Sequence, residues 1–143
     1  MKKIEIPSKQ IRLNVESLER ISLSEGEPLL FPYISKITEI CSSYADRVTI
    51  VTNGSLPNVI DKICRYVDEI HFSVDTIDYE KYKRIKGLEI TNVMESIMIA
   101  KDENKKIRIN VVVNDELLSL NDIEALHGFC LEHGLTLSLI KPF

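Results

Sequence analysis

The chain of 143 residues is 44% hydrophobic and 28% charged, which suits one core and leaves little room for a second, so we expect residues 1–143 to form a single domain. The net charge of −4 argues against nucleic acid as a partner, because nucleic-acid binding normally needs a basic excess. No apolar run approaches the roughly 18 residues of a membrane span and the amino terminus is not signal-like, which predicts a cytoplasmic protein without a membrane partner.

The first part of the chain carries two short patterns in which apolar and polar residues alternate. Alternation with a period of two is typical of strands, so residues 1–17 are predicted to form a β-hairpin around a Pro-Ser-Lys turn. The connection to the next strand is too short for a parallel crossover. The second strand must therefore run antiparallel to its successor, pair elsewhere, or result from the loss of a helical connection. The apolar residues of the two patterns are Ile4 and Ile6, then Ile11, Leu13 and Val15.

The remainder, residues 18–143, repeats one pattern of strand and helix. Because parallel strands need helical crossovers between them, this repetition predicts right-handed β/α units and a parallel sheet. Pro57 suits a helical first turn, and Gly134 suits a helix end. The predicted strands are 21–24, 47–52, 69–75, 107–113 and 135–140, and the predicted helices are 33–44, 57–67, 78–85, 93–101 and 122–133.

The predicted strands are apolar on one face only. In the third of them Ile70, Phe72 and Val74 point one way, whereas His71 and Ser73 point the other way. A sheet covered by helices on both faces would have continuous apolar strands, so the alternation indicates that helices cover one side. We therefore expect an α/β fold, an incomplete parallel β/α barrel of about five parallel strands with the N-terminal β-hairpin added and with a polar concave surface.

An incomplete barrel leaves strand edges whose backbone groups lack partners, and proteins normally pair or cover such edges. We expect the N-terminal hairpin to cover one edge, or two chains to associate through it. The partner expected from the sequence is thus a second copy in a homodimer, or another chain that covers the open barrel edge.

Three ordered segments carry a resemblance to a known family. The first is Ser24-Glu25-Gly26-Glu27-Pro28-Leu29-Leu30, which resembles the G-G-E-P-L-L segment of radical S-adenosylmethionine (SAM) enzymes. The second is Val51-Thr52-Asn53-Gly54, which resembles the T-N-G of that family. The third is Phe72-Ser73-Val74-Asp75-Thr76, which resembles its S-L-D segment, and the helix 78–87 and strand 107–113 follow in the same order. The chain most resembles the molybdenum-cofactor GTP cyclases and the related peptide-modifying enzymes.

The resemblance implies a binding site for SAM at the carboxyl ends of the strands. In the family the carboxylate and nearby backbone groups bind the methionyl amine, since an ammonium group needs a carboxylate and glycine lets the backbone approach. The residues that the resemblance assigns to cofactor binding are Ser24, Gly26, Glu27, Asn53, Ser73, Asp75 and Asn110. No catalytic residue and no metal ligand is assigned.

The same resemblance is incomplete at the iron–sulfur motif. Family members carry C-x-x-x-C-x-x-C after the first barrel strand, where three thiolates bind the cluster. This spacing does not occur here: residues 10–17 resemble that first strand, and the strand with Glu27 follows directly. Glu25 also replaces the first glycine of the family segment. We expect no [4Fe–4S] cluster on this chain alone.

Structural interpretations of the same residues stay open. Thr52 and Asn53 are also typical of a turn before Gly54, and Ser73, Asp75 and Asn110 could simply be polar residues in a hydrated lumen. The remaining polar side chains and the thiol groups are expected to have structural roles. We expect a hydrogen-bonded interior His71, no metal at His127 and His133, core positions for Cys41, Cys64 and Cys130, and a solvated helical face at the basic run 81–86.

Three functional hypotheses follow. The first is a radical-SAM-like core domain without its cluster motif, catalytically inactive and acting as a binding or interaction module. The second is a fragment or split subunit of an active radical SAM enzyme, with the cluster supplied by another segment and SAM cleaved to a 5′-deoxyadenosyl radical. The third is an unrelated nucleotide-binding α/β domain.

Overall fold

The structure is a computed structural model. It describes the backbone of residues 2–5, 12–17, 19–114, 116 and 118–141, and within these ranges the side chains from Glu19 onward. The predicted turn of the hairpin, with Ile6 and Ile11, lies outside the described residues.

The described residues form one seven-stranded sheet with five helices. The strands are β1 (Lys2–Glu5), β2 (Arg12–Ser17), β3 (Arg20–Ser24), β4 (Arg47–Thr52), β5 (Glu69–Ser73), β6 (Lys106–Val112) and β7 (Thr136–Ile140). The helices are α1 (Ile34–Tyr44), α2 (Pro57–Ile63), α3 (Tyr79–Lys86), α4 (Ile90–Asp102) and α5 (Leu120–His133), with 3₁₀ turns at Pro28–Leu30 and Cys64–Tyr66.

The strands lie side by side in chain order, and β3 to β7 are all parallel. Each helix therefore connects neighbouring strands, as in a β/α barrel that has not closed. The prediction of five parallel strands in one α/β sheet is confirmed.

The N-terminal hairpin extends this sheet. β1 pairs antiparallel with β2, and β2 pairs antiparallel with β3, with Leu13 opposite Leu23. Of the three possible arrangements of the second strand, the structure shows the one in which it runs antiparallel to its successor. The N-terminal hairpin therefore covers the β3 edge of the parallel strands. The segment that resembles the family's first barrel strand thus contributes β2, which is antiparallel to β3.

The hydrophobic core lies between one face of the sheet and the helices. Ile50, Ile70 and Phe72 are fully buried, whereas the alternating His71 and Ser73 are partly exposed, so the predicted division of faces is confirmed. We call the polar side of β3 to β7, opposite the helices, the open face. Within the described residues no helix is long and apolar enough to span a bilayer.

Local signals define the helix ends. Ser119 and Asp122 form a capping box at the start of α5, and Gly134 ends that helix in the left-handed conformation at φ 68°. Pro57 occupies the first turn of α2, as predicted. These ends fix where each helix returns the chain to the sheet.

The last described strand is less covered than the sequence predicts. Leu139 lies on the apolar face, as predicted, but it is 53% exposed. Ile140, on the other face, is 41% exposed. The reason is that β7 pairs with β6 on one side only in the described sheet.

Candidate functional site

The chain turns sharply after β3. Glu25 and Gly26 both adopt the left-handed conformation, at φ 67° and 60°. Glycine adopts it freely, whereas Glu25 does so at a cost of about 1 kcal/mol. The turn carries Glu27 back towards the carboxyl end of β4.

The Glu27 carboxylate joins this turn to β4. Its Oε1 accepts a hydrogen bond from the Leu29 N–H at 3.1 Å and another from the Thr52 hydroxyl, and its Oε2 accepts one from the Asn53 N–H at 2.8 Å. A carboxylate has about four acceptor positions, so one position remains on Oε2. Glu27 is thus held rigidly, only partly buried, with capacity for one further donor.

The segment after β4 supports Glu27 through a tight turn. The Thr52 hydroxyl accepts from the Gly54 N–H at 3.0 Å, and the Asn53 side chain accepts from the Ser55 N–H at 2.9 Å. The Gly54 carbonyl accepts from the buried Ser96 hydroxyl of α4 at 2.7 Å. Thr52 and Asn53 are therefore turn residues, and they also position Glu27.

A cavity of about 470 Å³ opens at the carboxyl ends of the strands from β4 to β7. It gathers three of the predicted residues, Ser73, Asp75 and Asn110, and Ser73 lies directly beside Asn110 in the β5–β6 register. The other lining residues are Val51, Ile85, Lys86, Val112, Asn114, Leu118 and Ile140. The cavity thus combines apolar walls with a few polar groups, as ligand pockets commonly do.

The remaining predicted residues do not line this cavity. Ser24, Gly26, Glu27 and Asn53 belong to the turn after β3 and to the end of β4. The predicted site therefore consists of two groups.

Tyr82 of α3 lies within electrostatic reach of both groups. Burial raises the pKa of the Tyr82 hydroxyl, and the negative charges of Asp75 and Glu27 raise it further. The side chain is 1% exposed, and its hydroxyl has no hydrogen-bond partner in the described part of the protein. The sequence prediction missed Tyr82, although the spacing of Tyr82, Ile85 and Lys86 places them on one helical face.

The basic run in α3 is solvated at Lys83, Arg84 and Lys86, as the sequence predicts, and only Lys81 is partly buried. Lys86 pairs with Asp75 at 3.1 Å beside the cavity, Lys81 pairs with Asp122, and Lys83 pairs with Glu89 at 2.9 Å. The acidic partners come from other segments, so the helix pattern alone does not reveal these ion pairs.

On the open face below the cavity, Glu69 is buried next to two basic groups. His71 Nε2 lies 2.9 Å from Glu69 Oε1, and Arg108 Nη2 lies 4.0 Å from the same oxygen. Burial works to raise the pKa of Glu69, but the hydrogen bond from His71 and the charges of His71, Lys106 and Arg108 outweigh it and lower the pKa. The prediction of a hydrogen-bonded His71 is confirmed.

The thiols do not fit an iron–sulfur cluster. Burial raises the pKa of the Cys41 and Cys64 thiols to about 11 and also raises that of Cys130, whereas cluster ligation needs thiolates. All three are unpaired and buried, so their predicted core positions are confirmed. Among the described residues no three His, Cys, Asp or Glu side chains are grouped as a metal site.

The fold and the site together define a class: an open parallel β/α sheet with a ligand pocket at the carboxyl ends of its strands. Comparison with known proteins gives the family. Residues 2–127 match the Radical SAM superfamily, and the chain belongs to it. The hypothesis of an unrelated nucleotide-binding domain is therefore excluded.

The similar proteins include the expected branch. The chain is 31% identical over 135 residues to the probable GTP 3′,8-cyclase of Methanococcus aeolicus, covering 87% of this chain and 43% of that protein. It is 30% identical over 109 residues to the SAM-dependent tRNA 4-demethylwyosine synthase of Methanocaldococcus jannaschii, covering 72% of this chain and 34% of that one. The chain thus spans less than half the length of these relatives.

Solved structures agree on the fold. SuiB of Streptococcus suis, crystallised with S-adenosylmethionine, matches with a TM-score of 0.74 at 23% identity, over 85% of this chain and 29% of that one. A domain of pyruvate-formate lyase-activating enzyme from Bacteroides vulgatus matches with a TM-score of 0.59 at 13% identity, over 82% of this chain and 96% of that one. Identities this low establish the fold alone.

Proposed function

We propose that this chain is a radical SAM core domain that binds S-adenosylmethionine, carries no iron–sulfur cluster of its own and acts as a binding module rather than as a catalyst. The observation that carries the proposal is the Glu27 carboxylate, which three hydrogen bonds hold in place with one acceptor position left for an ammonium group. We also propose that residues 1–143 act as one domain, in the cytoplasm, where unpaired thiols persist.

The ligand chemistry supports this assignment. S-adenosylmethionine carries an ammonium group, for which the carboxylate of Glu27 is a suitable counter-charge. Its ribose hydroxyl groups need donors and acceptors such as Ser73 and Asn110, which are adjacent in the cavity wall. Glu25 is the unfavourable feature, because a side chain stands where the family has glycine.

The absence of a cluster from this chain is testable by anaerobic reconstitution of the full chain with iron and sulfide. We expect an iron content far below four per chain after desalting, equal to that of a chelator-treated sample, because the three cysteines are dispersed and protonated. A stoichiometric four-iron cluster on this chain would contradict the proposal.

The second candidate is a piece of an active enzyme whose cluster lies on another segment or chain. Its support is that the chain covers only 34–43% of the two relatives above. In that case a mixture with the cluster-bearing polypeptide, reductant and SAM would yield 5′-deoxyadenosine. If such a mixture binds a cluster but forms no 5′-deoxyadenosine, this candidate is excluded.

We also propose that another strand, from a second copy or a partner chain, covers the β7 edge. The half-exposed Leu139 and Ile140 support this, since uncharged and exposed edge strands are normally paired or protected. Light scattering on the full chain tests whether a second copy covers this edge. A dimer is expected. A strict monomer would exclude the second copy, so that the edge would have to be covered by a different chain.

A further inference from the structure

Another cavity lies among the helices, on the other side of the sheet from the open face. It is a surface groove of about 320 Å³ between the beginning of α1 and the end of α2 with its following 3₁₀ turn. None of its lining residues lines the cavity at the carboxyl ends of the strands, so the two are separate sites. The groove is lined by Ser35, Lys36, Glu39, Lys62, Arg65 and Tyr66.

The charge of this groove is opposite in sign to that of the whole chain. Three of its six lining residues are cations and one is a carboxylate, although the chain has a net charge of −4. The first turn of α1 adds no acidic residue, and Asp61 does not line the groove although it is next to Lys62 in sequence. The groove is therefore a local excess of positive charge on an acidic protein.

The single carboxylate of the groove pairs with only one of the three cations. Glu39 Oε2 accepts a hydrogen bond from Lys36 Nζ at 3.3 Å, and because both side chains are exposed this pair is weak. Lys62 and Arg65 form no ion pair with any residue in the part of the chain that the structure describes. These two cations are the ones that an external carboxylate would meet.

Arg65 is held in place without losing its hydrogen-bond donors. Its guanidinium carbon lies 5.2 Å from the centre of the half-buried Tyr66 ring, which is a cation–π contact. Such a contact uses the face of the guanidinium plane, whereas the N–H groups point outward from its edge in a fork that matches a carboxylate. Arg65 is thus oriented for a second, charged partner.

The shape and size of the groove favour a peptide segment over other anions. A pocket for a small molecule encloses most of its ligand, whereas the charged side chains here are all exposed. Nucleic acid needs a broader basic surface, because its phosphates follow one another along the whole contact. A peptide with neighbouring carboxylates places one at Arg65 and the next at Lys62 while its backbone follows the groove.

We propose that the groove between α1 and α2 binds an acidic segment of a partner protein, through the Asp or Glu side chains of that segment. One carboxylate pairs with Arg65 and a second with Lys62, and Lys36 adds to the positive potential. Because the chain as a whole is acidic, the attraction is confined to this groove. The inference does not depend on SAM binding, which is assigned to Glu27.

The test is a nuclear magnetic resonance titration of the full ¹⁵N-labelled chain with a peptide of alternating glutamate and aspartate residues. A peptide of equal length with glutamine and asparagine is the neutral control. We expect saturable shifts with the acidic peptide at the Arg65 Nε–H and at the backbone amides of Lys62 and Tyr66, and none with the neutral peptide. Added salt should weaken the binding several-fold, because it screens exposed charges. Tighter binding of inorganic phosphate than of the acidic peptide would overturn the inference.

Variants at exposed positions make the test decisive without disturbing the core. Arg65→Gln and Lys62→Gln should each weaken binding of the acidic peptide about threefold to fivefold, and together at least about tenfold, as expected for exposed ion pairs. Arg84→Gln removes an exposed arginine from α3 and should leave the binding unchanged. Amide dispersion shows that each variant is folded. Non-saturating shifts, or equal losses in Arg84→Gln and Arg65→Gln, would overturn the inference. A chain that binds the acidic peptide but not SAM would overturn only the proposed function.

Discussion

Gly54→Ala is expected to lower the free energy of unfolding by about 2–4 kcal/mol. A Cβ atom at this position would lie 2.8 Å from Cδ1 of Phe72, which is fully buried. Overpacking of this kind costs about 1–3 kcal/mol, and the left-handed backbone at φ 70° adds about 1 kcal/mol for any residue with a side chain. Chemical denaturation measures the change.

Two other glycines separate these effects. Gly87 has φ 68° but open space around it, so Gly87→Ala should show only the backbone cost of about 1 kcal/mol. Gly128 lies within α5 with open space, and Gly128→Ala should stabilise the chain by about 0.5–1 kcal/mol. If Gly54→Ala cost no more than Gly87→Ala, the close contact with Phe72 would be refuted.

Asp122→Asn is expected to lower the free energy of unfolding by about 2–3 kcal/mol, because hydrogen bonds to a charged group are lost inside the protein. Asp122 is buried, and its carboxylate accepts from the Thr76 hydroxyl at 2.9 Å, the Ser119 N–H at 2.8 Å and the Lys81 ammonium. These contacts join the loop after β5 to the start of α5. Thermal and chemical unfolding measure the loss.

The pH dependence provides an independent check of this ion pair. Burial works to raise the pKa of Asp122, but the hydrogen bonds from Lys81, Ser119 and Thr76 outweigh it and hold the pKa well below its usual range. A depressed pKa stabilises the fold above the unfolded value of about 3.9 and loses this effect as the pH falls below it. The stability difference between the natural chain and Asp122→Asn should therefore be constant at neutral pH and shrink below about pH 4.

Asp61→Asn is the matched control, because Asp61 is an exposed carboxylate on α2. Its effect should stay within about 0.5 kcal/mol, the usual limit for surface substitutions. If the difference in the free energy of unfolding between the natural chain and Asp122→Asn stayed constant from pH 7 to pH 3, the account of Asp122 would be contradicted.

Much of the fold could be predicted because the governing signals are local. The alternation of Ile70 and Phe72 with His71 and Ser73 assigns the faces of β5, since successive strand residues point to opposite sides. The short link between β2 and β3 excludes a parallel crossover, and the structure selects the antiparallel pairing from the possibilities that remained. The predicted bounds of the β4 strand match the observed Arg47–Thr52.

The site was less predictable because its contacts join distant segments. Thr52 lies 25 residues from Glu27, and the two meet because β3 pairs with β4 and the left-handed Glu25 and Gly26 turn the chain back. Likewise Lys81 and Asp122 are 41 residues apart, so a helix pattern could not reveal that this lysine is paired. Local periodicity indicates which face a residue occupies but not which partner it meets there.

Calorimetric titration of S-adenosylmethionine into the full, chelator-treated chain tests the central claim most directly. The account predicts saturable binding with one molecule per chain in the absence of any metal. Glu27→Gln should weaken this binding at least about tenfold, whereas Glu39→Gln, at an exposed position on α1, should leave it unchanged. A folded natural chain that gives no heat beyond dilution would contradict the account.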